Sequence, residues 1–175
     1  LFKSRNLYLL GHYDEALDLI THYEKTREWH FSSLVLPEHN FIHSLILAAR
    51  CDSAQGKEKS VYIKKLRHNQ KIMKKWSKSA PENFMHKYLL VEAEISRIRG
   101  KDTRAMKLYN EAIASALAND YVQNSAMANE LAAKFCISRE FNDYAKSHLE
   151  AAVRGYAAWG ATLKVEMLQQ KYAGI

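Results

Sequence analysis

The chain has 175 residues, of which 47% are hydrophobic, and only six are Gly and two are Pro. This length suits one domain with a core, and the shortage of helix-breaking residues favours an all-α fold over many short strands. The net charge is +7, and no apolar run approaches the ~18 residues of a membrane span, so membrane insertion is not expected.

Apolar residues recur at helical spacing along the chain and predict nine helices joined by tight turns. Pro37 and Pro81 stand near predicted helix starts, where the missing N–H costs nothing. The predicted helices cover, in chain order, residues 1–9, 13–27, 38–55, 58–78, 82–99, 102–118, 121–138, 141–158 and 161–173.

The turns recur at a nearly constant interval, which indicates an internal repeat. Gly11, Gly56 and Gly100 begin related segments, and Glu140 takes the same place in a fourth. Five residues later stands a small or β-branched residue, namely Ala16, Val61, Ala105 or Ala145. Small residues let two helices approach closely, and glycine easily adopts the left-handed conformation that ends a helix. We therefore predict four helix–turn–helix repeats, at about residues 1–30, 37–78, 81–118 and 121–158, and a capping helix 161–173, in one domain of residues 1–175.

The segment GKDTRAMKLYNEAIASA, which begins at Gly100, is similar to the second half of a tetratricopeptide repeat. The positions that carry the likeness are Gly100, Ala105, Tyr109 and Ala112, whereas the second repeat has Lys65 and His68 at signature positions. The resemblance implies a right-handed α-α superhelix of tetratricopeptide-like hairpins with a C-terminal capping helix. The repeats are longer than the usual ~34 residues.

A second likeness covers residues 36–172 and rests on LPEHNFIHSLILAA, MKKWSKSAPENFMHKYLLVEAE, NELAAKF and YAAWGATLKVEMLQQKY. These strings resemble the helical-repeat region of large signalling proteins, in which an AAA-type ATPase precedes the repeats and a GAF sensor and a histidine kinase follow. The likeness implies that the chain is a cytoplasmic, non-catalytic piece of a longer two-component signal-transduction protein. It would mediate contacts between the ATPase switch and the output kinase. The alternative is a free-standing tetratricopeptide adaptor that binds peptides in its concave groove.

Tetratricopeptide proteins hold ligand peptides with polar residues on the first helix of each hairpin, which lines the concave side. Alignment of the repeats predicts that a protein or peptide partner, or a sister domain, contacts seven residues: His43, Arg50, Lys87, Glu94, Arg97, Glu130 and Lys134. Spacings of seven residues predict that these positions form an exposed stripe. A groove that is only solvated, or packed by neighbouring domains, is the alternative interpretation.

Residues 57–78 carry nine Lys and Arg against one acid, a net charge of +8, so the rest of the chain sums to −1. On a helix, one side of this segment is predicted to be apolar and the other, the basic face, consists of Lys64, Arg67, Lys71, Lys74, Lys75 and Lys78. The favoured interpretation is a face that is solvated or meets an acidic protein surface. Contact with nucleic acid or acidic lipid is less favoured, because no aromatic residues interleave with the cations.

No catalytic, cofactor or metal site is predicted. Gly56-Lys57 and Gly100-Lys101 resemble the end of a phosphate-binding loop, but the required earlier glycine is missing from both. His39 and His43 lie four residues apart, as two metal ligands on one helix face would, but no third ligand is apparent. Cys51 and Cys136 are expected to be reduced thiols.

Overall fold

The computed structural model describes residues 1–26 and 35–175, and these ranges contain nine α-helices and no strand. The predicted all-α class is therefore confirmed. The helices are α1 (Phe2–Leu9), α2 (Tyr13–Thr26), α3 (Val35–Arg50), α4 (Gly56–Ser79), α5 (Pro81–Ile98), α6 (Asp102–Ala118), α7 (Val122–Ile137), α8 (Asn142–Trp159) and α9 (Thr162–Lys171).

The largest difference from the predicted bounds is at α3, which begins three residues before the predicted residue 38 and ends at Arg50 instead of 55. Pro37 lies in its first turn, and Pro81 is the first residue of α5. The end of the predicted helix 13–27 and of the predicted repeat 1–30 lies outside the described residues.

Five helices end in the same hydrogen-bonded turn. After α5, Gly100 has a φ of +67°, its N–H donates to the Arg97 carbonyl at 2.9 Å, and the Lys101 N–H donates to the Ser96 carbonyl at 2.9 Å. This is the Schellman motif, in which a left-handed residue satisfies the last carbonyls of a helix. Gly11, Asp120, Glu140 and Gly160 take the corresponding place at the other four ends. Glu140, with a φ of +61°, adopts a conformation that costs a side-chain-bearing residue about 1 kcal/mol.

The chain forms two compact units, Leu1–Phe84 and Met85–Ile175, and the boundary falls within α5. In the first unit, the core includes Ile20, Phe41 and Leu45, all at most 1% exposed. In the second unit, Tyr109 and Tyr156 are completely buried. The organisation of all 175 residues as one domain stays a prediction.

The small positions of the repeats are buried in three cases, because Ala16, Ala105 and Ala145 are 0% exposed. The prediction is wrong for the second repeat, where Val61 is 54% exposed. There, α4 instead buries Leu66 and Met73, so this helix presents a different face to α3 than the repeat alignment predicts.

The last helix, α9, packs against α8 and buries Leu168. Its role as a cap of the repeat stack stays a prediction. None of the helices in the described ranges has the length and hydropathy needed to cross a bilayer.

Candidate functional site

The basic face of α4 is exposed along its whole length. All six of its side chains are exposed: Lys64, Arg67, Lys71, Lys74, Lys75 and Lys78. Leu66 and Met73, on the other side of the helix, are buried. Within the described part of the chain none of the six cations forms an ion pair, because the one acid of this segment, Glu58, faces Arg50 and Tyr62 instead. The positive charge of α4 is thus directed to solvent without compensation.

The predicted partner-binding residues of α5 are instead enclosed. The Glu94 carboxylate is 3% exposed and accepts hydrogen bonds from the Tyr109 hydroxyl and from Arg97, whose Nη2 lies 2.8 Å from Oε2. Lys87 is 7% exposed, and its ammonium nitrogen lies 5.8 Å from the centre of the Tyr121 ring, a cation–π distance. Both predicted residues therefore join α5 to later helices of the second unit.

Glu130 of α7 is the most densely paired carboxylate in the described residues. Its oxygens accept hydrogen bonds from the Lys134 and Lys164 ammonium groups and from the Tyr156 hydroxyl, each at 2.7 Å. Burial by itself would raise the pKa of the Glu130 carboxyl, but the two lysine charges and their hydrogen bonds outweigh it and lower that pKa. Burial, together with the charges of Lys134 and Lys171, lowers the pKa of Lys164 despite the opposing effect of Glu130, yet the 2.7 Å contact is that of a charge-assisted pair.

On α3, His43 is 2% exposed and lies in the interior of the first unit. Arg50 at the end of the same helix keeps 21% of its side chain exposed, and its Nη1 lies 2.9 Å from an Asp14 oxygen of α2. The predicted exposed stripe is thus wrong for His43, Lys87, Glu94 and Glu130, because their side chains fill the spaces between helices. Arg97 and Lys134 keep 19% and 32% of their side chains exposed. A partner-binding role for the seven residues stays a prediction.

His86 is a buried imidazole in the second unit. It is 2% exposed, its ring lies 4.3 Å from the Tyr121 ring, and neither ring nitrogen has a hydrogen-bond partner among the described residues. Burial, together with the neighbouring Lys87 charge, lowers the His86 pKa to about 3. The ring is therefore neutral at physiological pH.

The described residues contain no cluster of three His, Cys, Asp or Glu side chains able to hold a metal ion. The rings of His39 and His43 are 5.9 Å apart and edge to face. Cys51 and Cys136 are buried and form no disulfide bond with each other.

The helix pairs, their glycine-ended turns and their buried alanines are the features by which a tetratricopeptide array is recognised. The model of the family described as CHK1-like, TPR repeats matches residues 5–151. The chain belongs to this CHK1-like TPR family. No curated protein and no solved structure matches it.

The sequence prediction missed several residues that hold these TPR repeats together. Tyr109 and Tyr156 supply hydroxyl groups to the buried carboxylates, and Arg139 makes a two-point hydrogen bond to Asp102 with distances of 2.7 and 3.1 Å. The sequence contains one signal that could have revealed the buried pairing of Glu130. Lys164 stands four residues before Leu168 on the apolar stripe of α9, where a cation needs a buried partner.

Proposed function

We propose that this chain is a non-catalytic scaffold within a multidomain two-component signalling protein, where it makes protein contacts between an ATPase switch and an output kinase. Membership of the TPR family supports the scaffold part of the proposal, since such repeat arrays act through extended binding surfaces. The likeness of residues 36–172 to helical regions of ATPase and histidine-kinase proteins supports the signalling part.

The observation that carries the proposal is the unpaired basic face of α4. Its six cations are exposed and none has a counter-ion in the described part of the chain. Like charges four residues apart, such as Lys71 and Lys75, slightly destabilise an isolated helix. An acidic protein surface would offset this repulsion and would be attracted over a Debye length of ~8 Å at physiological ionic strength.

The peptide-adaptor alternative receives less support from the geometry. Glu94 and Glu130 are at most 4% exposed and already accept hydrogen bonds from neighbouring helices. Breaking these contacts to hold a peptide would leave buried charges unpaired, which is strongly unfavourable.

The test is binding in trans to the separately purified ATPase and kinase domains of the parent protein. We expect saturable binding that weakens steeply with salt and is lost in the variant Lys71→Glu/Lys75→Glu. The matched control is Lys107→Glu/Lys146→Glu, which reverses two exposed lysines outside the basic face and should bind normally.

Equal binding by both double variants would overturn the role of the basic face. Flanking sequence without ATPase or kinase domains would overturn the signalling context. Salt-dependent binding to duplex DNA, with no binding to either domain, would replace the proposal with nucleic-acid recognition.

A further inference from the structure

A cavity of about 330 Å³ lies between α3 and α4 within the first unit. Its lining consists of four buried polar residues, two half-buried and one exposed apolar residue, and one exposed histidine. They are His39, Asn40, His43 and Asn69, then Ile72, Trp76 and Leu36, and finally His68. Asn40 and Asn69 are 8% and 9% exposed, whereas Leu36 and His68 are exposed. The cavity therefore leads from an open rim to a polar floor.

The size of this cavity is that of a small-molecule site, and its lining offers polar groups as well as apolar surface. Its volume would hold ~10 water molecules and falls at the lower end of the range for small-molecule sites. Cavities that stay empty in proteins are apolar, whereas this one has two amide groups and three imidazoles in its lining.

Two atoms of the floor lack hydrogen bonds. The Asn40 Oδ1 acceptor and the Asn69 Nδ2 donor are both buried and have no partner among the described residues. Buried polar groups in folded proteins are almost always satisfied by protein or by water, so this donor and acceptor would take bound water or a ligand that offers the reverse pair.

The rest of the lining specifies the shape and charge of that molecule. The half-buried Trp76 and Ile72 contribute apolar surface to the lining, which an aromatic ring can contact. None of the described lining residues is a carboxylate. Lys64 stands one turn before His68, and Lys75 about two turns after it, so the basic face borders the open rim.

We propose that this cavity binds a planar heteroaromatic anion of the nucleoside monophosphate class. The base lies against Trp76, and its amino group donates to Asn40 Oδ1 while a ring nitrogen accepts from Asn69 Nδ2. The phosphate lies at the rim, near His68, Lys64 and Lys75. This site adjoins the protein contact proposed for the basic face, and the two share Lys64 and Lys75 at the rim.

The binding test is calorimetric titration of the whole chain with adenosine monophosphate and cytidine monophosphate, whose bases carry an amino donor beside an acceptor nitrogen. We expect saturable binding that Asn69→Leu weakens by at least about tenfold. Adenosine without phosphate should bind more weakly to the native chain and should be insensitive to Lys64→Glu/Lys75→Glu. Ribose 5-phosphate serves as the control that lacks the ring.

The proposal is overturned if neither nucleotide binds at about 1 mM, or if ribose 5-phosphate binds as tightly as the nucleotides. Binding of Zn²⁺ to the native chain, abolished by His39→Ala, with no nucleotide binding would also overturn it in favour of a metal site.

A second readout does not depend on the choice of ligand. Replacing Asn40 or Asn69 by Leu removes an unsatisfied amide, so thermal stability without ligand should stay equal or rise. The matched control is Asn129→Leu, because Asn129 is equally buried but donates to the Ser125 carbonyl at 3.0 Å and contacts His148 Nδ1 at 2.9 Å. If the cavity variants lose as much stability as Asn129→Leu, the two amides have partners within the fold and the ligand site is excluded.

Discussion

In the second unit, the buried carboxylates of Glu94 and Glu130 each accept a hydrogen bond from a tyrosine hydroxyl and at least one from a cation. In the first unit, amide atoms of Asn40 and Asn69 are also buried, but these residues line a cavity. Both arrangements place polar groups between packed helices. A repeat interior can therefore satisfy its polar groups itself, which fixes neighbouring helices, or leave them facing a cavity, where we propose that a ligand binds.

The largest effect on stability is expected from breaking the contacts of Glu130 with Lys134, Tyr156 and Lys164, here called the Glu130 cluster. Glu130→Ala leaves the Lys164 ammonium, whose side chain is only 9% exposed, without its carboxylate, and should lower the free energy of unfolding by about 3 kcal/mol or more. Urea denaturation measures this change. The control Glu111→Ala removes an exposed ion pair with Lys107 and should cost less than about 1 kcal/mol.

A double variant separates the charge from the packing in the same cluster. Glu130→Leu/Lys164→Met removes both charges and should recover most of the stability that Glu130→Ala loses. If Glu130→Ala and the double variant lose the same stability, the unpaired Lys164 charge is not the cause of the loss.

His86 is one exception within the second unit, because neither nitrogen of its buried ring has a hydrogen-bond partner among the described residues. The unfolded chain takes up a proton near the ordinary histidine pKa of 6.5, whereas folded His86 does so only at about 3. Stability should therefore fall as the pH drops below 6.5, by up to about 1.4 kcal/mol per pH unit.

Urea unfolding between pH 7.5 and about 4.5 measures this slope. The variant His86→Phe keeps an aromatic ring against Tyr121 and should reduce the loss. A slope identical in both proteins would show that other groups produce the acid sensitivity.

A smaller effect is expected at the turn between α7 and α8. Glu140 adopts a positive φ, as Gly100 does at the corresponding turn. Glu140→Gly should raise the free energy of unfolding by up to about 1 kcal/mol, and Gly100→Ala should lower it by a similar amount. A Cβ at Gly100 would meet nothing within 4 Å, so only the backbone conformation is tested. Opposite signs in the two thermal denaturation curves are the expected result, and a loss in both would contradict it.

The smallest effect on stability is expected on α4. Lys71→Glu/Lys75→Glu changes two exposed side chains without ion pairs in the described part of the chain, and should shift the free energy of unfolding by less than about 0.5 kcal/mol. A larger loss would mean that the basic face is tied into the fold, and its proposed role as a free contact surface would fail.

The helices were readable from the sequence because the spacing of apolar residues is local information. The turn at Gly100 and the alanine at 105 follow from the needs of a left-handed residue and of a close helix contact. The same reasoning failed at α4. Its residues Val61 and His68 occupy repeat positions by sequence number, but both are exposed since the helix packs through Leu66 and Met73 instead.

The partner-binding residues show a second limit of sequence reasoning. Glu94 and Glu130 have the spacing of exposed groove residues, yet each faces a tyrosine that lies 15 or 26 positions later. A one-dimensional pattern shows which residues share a helix face. It does not show whether another helix covers that face.

The sequence by itself determined the class of the fold, most helix bounds, the TPR character and the concentration of charge in residues 57–78, because each depends on neighbours along the chain. Only the tertiary structure decided that the basic face has no counter-ion among the described residues, that the predicted groove acids are enclosed, and that Asn40 and Asn69 line a cavity. These properties depend on which groups of different helices lie within hydrogen-bond distance, and that distance is fixed only when the helices pack.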